Sequence, residues 1–397
     1  MTMNLSRIKR WILLGHRWLG IGTCLLFFLW FLSGVVMMYV GHPKLTWQER
    51  LEHLPPLEAS QPLLSPADAF RQAGIHGTVT DLRLANARAG QPVYIAQIRP
   101  DARPAPDAPR PEPRLLALDA RTGALLPPTD AATALASAQV YLEQGGLSQP
   151  SSSSALPASS PRQPAGATAQ GAPGTLLYQG ITVEDAHTHS KAMDLHRPLH
   201  KVLLPDAEQT LLYISGTTGE VVRDAPRLER GFNYLGAWLH WLYLFRDTAI
   251  DWTDLIIWLS VIGTVATLSG FLSGIIRWRF SRPYRSGSRS PFAPGALRWH
   301  HILGLVFALT TFTWIFSGLM SMNPWDIFEA DESIIDARRI SNPDIQPSRA
   351  IATPQALLAS TTTPVRELQW HTLLDKARVK ATRTHEVPPG NADQPLL

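Results

Sequence analysis

Two histidines stand at matching places in two membrane-length segments of the chain. The segments HRWLGIGTCLLFFLWFLSGVVMMY (16–39) and HHILGLVFALTTFTWIFSGLMSMN (300–323) align without a gap and agree at nine of 24 positions. The matched pairs are His16/His300, Leu19/Leu303, Gly20/Gly304, Leu25/Leu309, Phe28/Phe312, Trp30/Trp314, Ser33/Ser317, Gly34/Gly318 and Met38/Met322. At about 100° per residue, six of the nine lie on one face of the helix. The shared face indicates a common use for the two segments.

The chemistry available to such a pair is the binding of iron. Neutral imidazole is a common axial ligand of haem iron, and two imidazoles from facing helices give a six-coordinate centre suited to electron transfer. A haem b between His16 and His300 would lie against the face that carries Trp30 and Trp314. Its propionates would be directed toward basic side chains. The candidates are Arg17, Arg279 and Arg298.

Two alternatives to this ligand pair stay open from the sequence. In the first, each histidine only flanks a helix end at the membrane interface, and the two tryptophans are packing residues. In the second, His301 replaces its neighbour His300 as a ligand. The register of the repeat favours His300, because a shift of one residue rotates the ring by about 100°.

Three apolar runs, at 11–40, 252–278 and 299–322, are long enough to span a bilayer. Residues 1–40 and 277–298 contain basic residues and no acid, so the positive-inside rule predicts that both are cytoplasmic at their charged ends. The first run is about twice as long as a signal-peptide core and no small-x-small cleavage site follows it, which predicts a retained anchor. We therefore expect a multi-pass protein of a bacterial inner membrane, with the large polar part in the periplasm.

Composition excludes several other classes of protein. Cys24 is the single cysteine of the 397 residues, so no intrachain disulfide can form. The net charge of +4 reflects the arginines beside the spans and gives no nucleic-acid signal. The chain has no P-loop, GxGxxG, CxxC, HExxH or GxSxG motif. A nicotinamide or flavin donor would therefore bind elsewhere or on a partner.

The polar segments predict an α+β domain. SPADAFRQAG (65–74) predicts a helix capped by Ser65, and alternating stretches predict strands after it. LLALDARTGALL (115–126) aligns with LLYISGTTGEVV (211–222), with a Thr-Gly turn in each. The predicted segments are an N-terminal segment with the first span (1–40), a first module (41–144), a disordered linker (145–174), a second module (175–235), an interfacial segment with the second span (236–278), a basic loop (279–298), the third span (299–322) and a C-terminal segment with an incomplete third module (323–397).

These features together resemble the PepSY-associated transmembrane proteins of bacterial inner membranes. The resemblance is carried by HRWLG, SPADAFRQAG, the two Thr-Gly hairpins, GAWLHWLYLF (236–245) and HHILG, in that order. It implies three transmembrane helices with a periplasmic α+β domain of PepSY-like modules. The family includes reductases resembling ferrioxamine reductase, which carry b-type haem between helices and reduce siderophore-bound ferric iron. Such members typically have a fourth transmembrane helix, which this sequence is expected to lack.

The resemblance also implies a role for His240 in GAWLHWLYLF. A second haem near the periplasmic face would use it as a ligand. Its partner stays open, and the candidates are His196, His200 and His371. The two histidines of the HTH motif, His187 and His189, are expected to be exposed rather than to bind a metal.

We expect, then, a haem b protein, with one or two haems, that passes electrons from a cytoplasmic or quinone donor to a periplasmic acceptor. Ferric siderophore is the expected acceptor, which would make the chain a haem-dependent ferric-siderophore reductase. The alternative is a haem-free membrane protein whose modules bind peptide, regulate a periplasmic protease or assist iron uptake. A siderophore permease is disfavoured, because the spans contain no intramembrane acid.

Overall fold

The computed structural model describes residues 5–99, 112–146, 175–246, 248–328, 345–350, 352–373 and 376–383. The chain divides into two compact units. Residues 1–41 and 232–334 form one, called here the helical unit, and residues 42–231 and 335–397 form the other, called the sheet unit. From residue 147 onward, the linker predicted at 145–174 lies outside the described residues.

The described helices and strands follow one another from a long helix at the N-terminus to a strand pair at the C-terminus. The helices are α1 (Leu5–Tyr39), α2 (Trp47–Glu52), α3 (Pro66–Ala73), α4 (Ala131–Gln144), α5 (Arg227–Asn233), α6 (Trp252–Arg277), α7 (Ala296–Ser321) and α8 (Pro354–Ala359). The strands are β1 (Thr78–Arg88), β2 (Gln91–Arg99), β3 (Arg114–Asp119), β4 (Leu177–Thr182), β5 (Leu199–Leu203), β6 (Leu211–Ser215), β7 (Val221–Ala225), β8 (Glu367–Leu373) and β9 (Lys376–Thr382).

The three long helices of the helical unit are α1, α6 and α7. Among the described residues, these three are long and apolar enough to cross a membrane, with 35, 26 and 26 residues. The prediction of three spans is therefore confirmed, as is a separate α+β region that contains sheets. The PepSY-like character of its modules stays a prediction.

Helix α6 packs against both α1 and α7. Its glycines allow the close approach: a Cβ at Gly263 would lie 3.1 Å from Phe27, and one at Gly274 would lie 2.7 Å from Leu305. Small residues are the usual contact surface between membrane helices. The start of α6 is capped by Asp251, whose carboxylate accepts the backbone N–H groups of Thr253 and Asp254 at 2.9 and 3.1 Å. A π-helical segment, Tyr234–Trp238, packs against the end of α1.

The sheet unit contains a five-stranded sheet in the order β3-β2-β1-β8-β9 and a four-stranded sheet in the order β4-β5-β6-β7. The C-terminal segment, predicted as the start of a third module, supplies β8 and β9 to the first sheet through an antiparallel pairing of β1 with β8. Trp370 on β8 is buried and its ring centre lies 5.7 Å from that of Tyr94 on β2. Residues nearly 280 positions apart thus share one core.

The Thr-Gly repeat seen in the sequence is also a repeat of backbone geometry. Asp119 Oδ1 accepts the N–H groups two and three residues later at 2.7 and 2.9 Å, and Ser215 Oγ does the same at 3.2 and 3.0 Å. Each turn then places its glycine at positive φ, 69° for Gly123 and 80° for Gly219. Only glycine adopts that conformation without strain, which explains why the dipeptide recurs.

Two buried ion pairs join separate parts of the sheet unit. Arg83 on β1 donates two hydrogen bonds of 2.7 Å to the carboxylate of Glu220, which lies just before β7. Arg50 on α2 donates to Glu367 on β8 at 2.6 Å. Although burial raises it, the Arg83 guanidinium lowers the pKa of Glu220 to about 2. The carboxylate is therefore charged and fully paired inside the fold.

Candidate functional site

The rings of His16 and His300 lie next to each other in the helical unit. Their centres are 6.3 Å apart and their planes differ by 20°. Fifteen residues further along α1, the ring of Phe31 lies 5.6 Å from that of Trp314 on α7. The two helices therefore run parallel in the register of the sequence repeat. Imidazole nitrogen is a common ligand of haem iron, so these two rings are the candidates to hold one.

The His16 ring is held by α6 through one of its nitrogens. Nδ1 lies 3.2 Å from the carbonyl oxygen of Ala266 and 3.5 Å from Oγ of Ser269. The Ser269 hydroxyl itself donates to the Ala266 carbonyl at 2.9 Å. A proton on Nδ1 satisfies this arrangement, which assigns the lone pair to Nε2. Metal-binding histidines are typically held in this way, with one N–H on a backbone carbonyl.

Glycine at 270 is required for the His16 ring to sit against α6. A Cβ at Gly270 would lie 2.7 Å from His16 Cε1, closer than real Cβ contacts, and 3.2 Å from Nδ1, which is tighter than most of them. The glycines one turn beyond each histidine have no such close neighbour. A Cβ at Gly20 or Gly304 would meet no heavy atom of the described residues within 4 Å. No described side chain therefore covers the helix surface at these two glycines beside the histidine pair.

His301 has a different environment from its neighbour. Its Nε2 lies 3.0 Å from the carbonyl oxygen of Gly274, to which it donates, and its Nδ1 accepts from the hydroxyl of Ser290 at 2.8 Å. The ring is 6% exposed and its edge faces Trp278 and Phe292 at centre distances of 5.7 and 5.5 Å. Both nitrogens are used by protein groups, so the structure places His300 rather than His301 beside His16.

His240 lies at the other end of the helical unit, against α1. Its Nδ1 is 3.1 Å from Oγ of Ser33, and its Cε1 would lie 3.5 Å from a Cβ at Gly34. The Ser33 hydroxyl donates back to its own helix at 2.7 Å, so Nδ1 of His240 is again the donor. The arrangement resembles that of His16: a serine hydroxyl on a neighbouring helix lies beside Nδ1, and the lone pair is on Nε2.

The two matched tryptophans lie near His240. The ring centre of Trp30 is 6.3 Å from that of His240, and Trp314 would contact a Cβ at Gly34 at 3.6 Å. The indole Nε1 of Trp30 is buried and has no hydrogen-bond partner among the described residues. A buried N–H group of this kind is suited to donate a hydrogen bond to a polar group of a bound molecule.

The arginines predicted to face haem propionates are at the His16 end of the unit. Arg17 is exposed and its guanidinium lies 5.8 Å from the centre of the Trp18 ring. Arg279 stacks on Tyr284 at 4.1 Å, and Arg298 is half-buried in the first turn of α7. None of the three has an acidic partner among the described ion pairs.

His196 and His200 belong to the sheet unit, where each has partners of its own. His200 is buried. Its Nε2 donates to the Thr129 carbonyl at 2.9 Å, and its Nδ1 accepts from the Tyr178 hydroxyl at 2.9 Å. His196 Nδ1 lies 3.1 Å from Oγ of Ser215, and burial lowers the pKa of its ring. These contacts give both histidines a role in packing the four-stranded sheet.

The HTH motif was expected to be exposed, and this prediction is wrong. His187 is 6% exposed, and the His189 side chain is 8% exposed and lies 2.5 Å from Glu184. The loop closes because Arg223 donates to the backbone carbonyl of His187. Within the part of the chain that the structure describes, no group of three or more His, Cys, Asp or Glu side chains could hold a metal ion.

Sequence reasoning did not identify the α6 residues that hold His16. Their signal is a stripe of small residues, Ala266, Ser269, Gly270, Ser273 and Gly274, at the three- and four-residue spacing of one helix face. The stripe could have indicated a contact face. Which helix it contacts could not be inferred from the spacing.

One of three comparisons with known proteins found a match. A search of curated proteins and a search of solved structures each found no match. The model of the PepSY-associated TM region matches residues 13–391, which include most of α1, all of α6 and α7 and most of the sheet unit. The chain is therefore a multi-pass membrane protein and belongs to the PepSY-associated TM region family.

Proposed function

We propose that this protein is a b-type haem protein of a bacterial inner membrane that passes electrons to a periplasmic acceptor. One observation carries the proposal: the rings of His16 and His300 lie 6.3 Å apart on two helices, with Nδ1 of His16 held by the Ala266 carbonyl, so that these two imidazoles would hold the iron of a haem.

When bound, haem b supplies a one-electron iron couple. The chain supplies the ligands and their orientation. The Ala266 carbonyl and Ser269 hydroxyl hold the His16 ring in one tautomer, and Gly270 lets that ring approach α6. His240 is held in the same way by Ser33 and is the candidate ligand of a second haem.

The orientation follows from the charges at the two ends of the helical unit. Ten cations and no acid occupy the sequence at the His16 end, within residues 5–17 and 277–298. Asp251, Asp254 and Asp326 lie at the opposite end. The positive-inside rule then makes the His16 end cytoplasmic and the His240 end periplasmic. Electrons enter from a cytoplasmic or quinone donor at His16 and leave on the periplasmic side.

Ferric siderophore is the acceptor that we propose, so that the chain acts as a ferric-siderophore reductase. This choice follows by analogy from the resemblance of the sequence to siderophore reductases of the same family.

The test is a reduced-minus-oxidised visible spectrum of the detergent-purified protein, with a pyridine haemochrome assay of haem per chain. We expect a b-type α-band that is lost or strongly weakened in His16→Ala and in His300→Ala. The matched control is His76→Ala, an exposed histidine of the sheet unit. His240→Ala distinguishes one haem from two, because it would remove half of the haem in the second case. A wild-type protein without haem, after expression with ample haem supply, would refute the proposal.

A second candidate function is peptide binding by the sheet unit without haem. Among the described strands, β4 pairs with β5 alone and forms an edge of its sheet. Its residues Leu177 and Ile181 are 36% and 59% exposed. An exposed edge strand with apolar side chains is a template for a peptide in extended conformation. This candidate would take first place if the spectra showed no haem, and a fluorescence-anisotropy titration with extended peptides would then test it.

A further inference from the structure

The segment between α6 and α7 is a short arginine-rich loop beside the membrane. The loop and the adjoining helix ends carry Arg277, Arg279, Arg282, Arg285, Arg289 and Arg298, with no acid from 277 to 298. Both flanking helices end at this loop, so it lies at the depth of the lipid headgroups. The adjacent rings of His16 and His300 place the start of α1 at the same end, which adds Arg7, Lys9, Arg10 and Arg17.

The loop is folded and attached to the helices. The Arg279 N–H donates to the Arg289 carbonyl at 3.1 Å, and the Tyr284 N–H donates to the Ser288 carbonyl at 2.8 Å. Ser290 is 1% exposed, and its hydroxyl donates to His301, which in turn donates to α6. His301 therefore fastens the loop to both helices, and the arginines project from a fixed base.

Five of the six arginine side chains fall into two groups, and the sixth, Arg298, is half-buried in the first turn of α7. Three of them contact groups of the loop itself: Arg277 lies over Phe292 at 5.4 Å, Arg279 lies over Tyr284 at 4.1 Å, and Arg289 donates to the Phe280 carbonyl at 2.6 Å. In the described part of the chain, no contact is found for the guanidinium groups of Arg282 and Arg285, which are exposed near the tip of the loop. An excess of fixed positive charge with no internal partner needs an external anion.

We propose that this arginine-rich end of the helical unit is a binding site for the phosphate headgroups of anionic phospholipids. The guanidinium fork matches a phosphate with two parallel hydrogen bonds. Arginines at this depth meet headgroups without leaving the bilayer surface, whereas a soluble acidic partner would have to displace those headgroups first. The folded base lowers the entropy lost when a headgroup binds. The site is independent of haem and requires no ligand between the helices.

The experiment is native mass spectrometry of the full-length protein, released from detergent after incubation with phosphatidylglycerol or phosphatidylcholine. We expect several-fold more phosphatidylglycerol adducts than phosphatidylcholine adducts on the wild type. Each arginine near an anionic surface contributes about fivefold in affinity, so Arg282→Gln/Arg285→Gln should weaken phosphatidylglycerol binding by up to roughly 25-fold. Arg114→Gln/Arg121→Gln, which removes two exposed charges from the sheet unit, is the matched control and should bind as the wild type does.

A further variant tests the fixed base without a change of charge. Ser290→Ala removes the hydroxyl that binds His301, and should lower phosphatidylglycerol binding by a smaller factor while all six arginines remain. The haem content of the same samples should not change in the arginine variants, which separates this proposal from the proposed electron transfer. Equal adducts of the two lipids, or full displacement of the lipid by excess inorganic phosphate, would overturn the proposal. So would wild-type lipid binding in Arg282→Gln/Arg285→Gln.

Discussion

Replacement of the glycines beside the histidine pair tests whether a cofactor occupies the open space next to it. Gly20 and Gly304 follow His16 and His300 by one helical turn, about 6 Å along the axis. A Cβ at either position meets no described atom within 4 Å, so Gly20→Leu and Gly304→Leu are compatible with the protein fold itself. Gly22→Leu is the matched control, because Gly22 is equally open but faces about 120° away from His16.

The size of the effect follows from the volume of the added side chain. Extra methylenes forced into an occupied site typically cost about 1–3 kcal/mol, and a leucine adds four carbons. We therefore expect Gly20→Leu and Gly304→Leu each to weaken haem binding by about 3 kcal/mol, which is roughly a hundredfold. The leucine side chain of Gly22→Leu would project from a different face of α1, about 120° away from His16, and should leave haem binding unchanged.

The assay is haem per chain by pyridine haemochrome, after washing the detergent-bound protein with a haem-binding competitor. Size-exclusion chromatography of each variant checks that the helices remain folded. Equal haem in all three leucine variants, at the wild-type level, would refute the placement of the cofactor beside Gly20 and Gly304. A loss of haem in Gly22→Leu as large as in the other two would show a general effect on the helix instead.

Three further predictions concern the sheet unit, and each is tested by urea unfolding of the purified protein, monitored by tryptophan fluorescence. Glu220→Gln leaves the buried guanidinium of Arg83 without its bidentate partner and should lower the free energy of unfolding by about 3 kcal/mol; an unchanged midpoint would contradict this. Burial, and then two nearby glutamates, raise the pKa of Asp224 to about 7, so its protonated form is favoured in the fold and the stability it contributes at pH 4 is lost as the pH rises to 7. Asp224→Asn should therefore stabilise the unit at pH 8 and not at pH 4, whereas an equal effect at both would exclude the shift. Burial lowers the pKa of His187 to about 4, so the stability present above pH 6.5 is lost as the pH falls toward 4, and His187→Gln should reduce that loss.

Part of the fold could be predicted because its causes are local in the sequence. The three spans follow from runs of apolar residues that no soluble fold would tolerate at such length. The cap of α3 at Ser65 and the glycine turns at Gly123 and Gly219 follow from the conformations that those residue types prefer. The gap-free match between residues 16–39 and 300–323 also predicted a common depth for the two histidines.

Other features depend on contacts between distant residues and could not be inferred. The pairing of β1 with β8 joins residues almost 290 positions apart, and alternation along a strand does not identify its neighbour. His187 was expected to be exposed rather than to bind a metal, yet it is buried and Arg223 donates to its backbone carbonyl. The choice of His300 over His301 was favoured by the repeat, but the reason that His301 is occupied is its contact with Ser290 and α6.

The sequence by itself determined that this chain has three membrane-length helices, an α+β region and two matched histidines, because hydropathy, turn conformations and repeats are properties of the local chain. The tertiary structure decided which helix holds each ring. Ala266, Ser269 and Gly270 are ordinary small residues until α6 packs beside α1, and only that contact gives His16 a fixed tautomer and an open neighbouring surface. Short-range preferences set the elements, and long-range packing sets the chemistry available to their side chains.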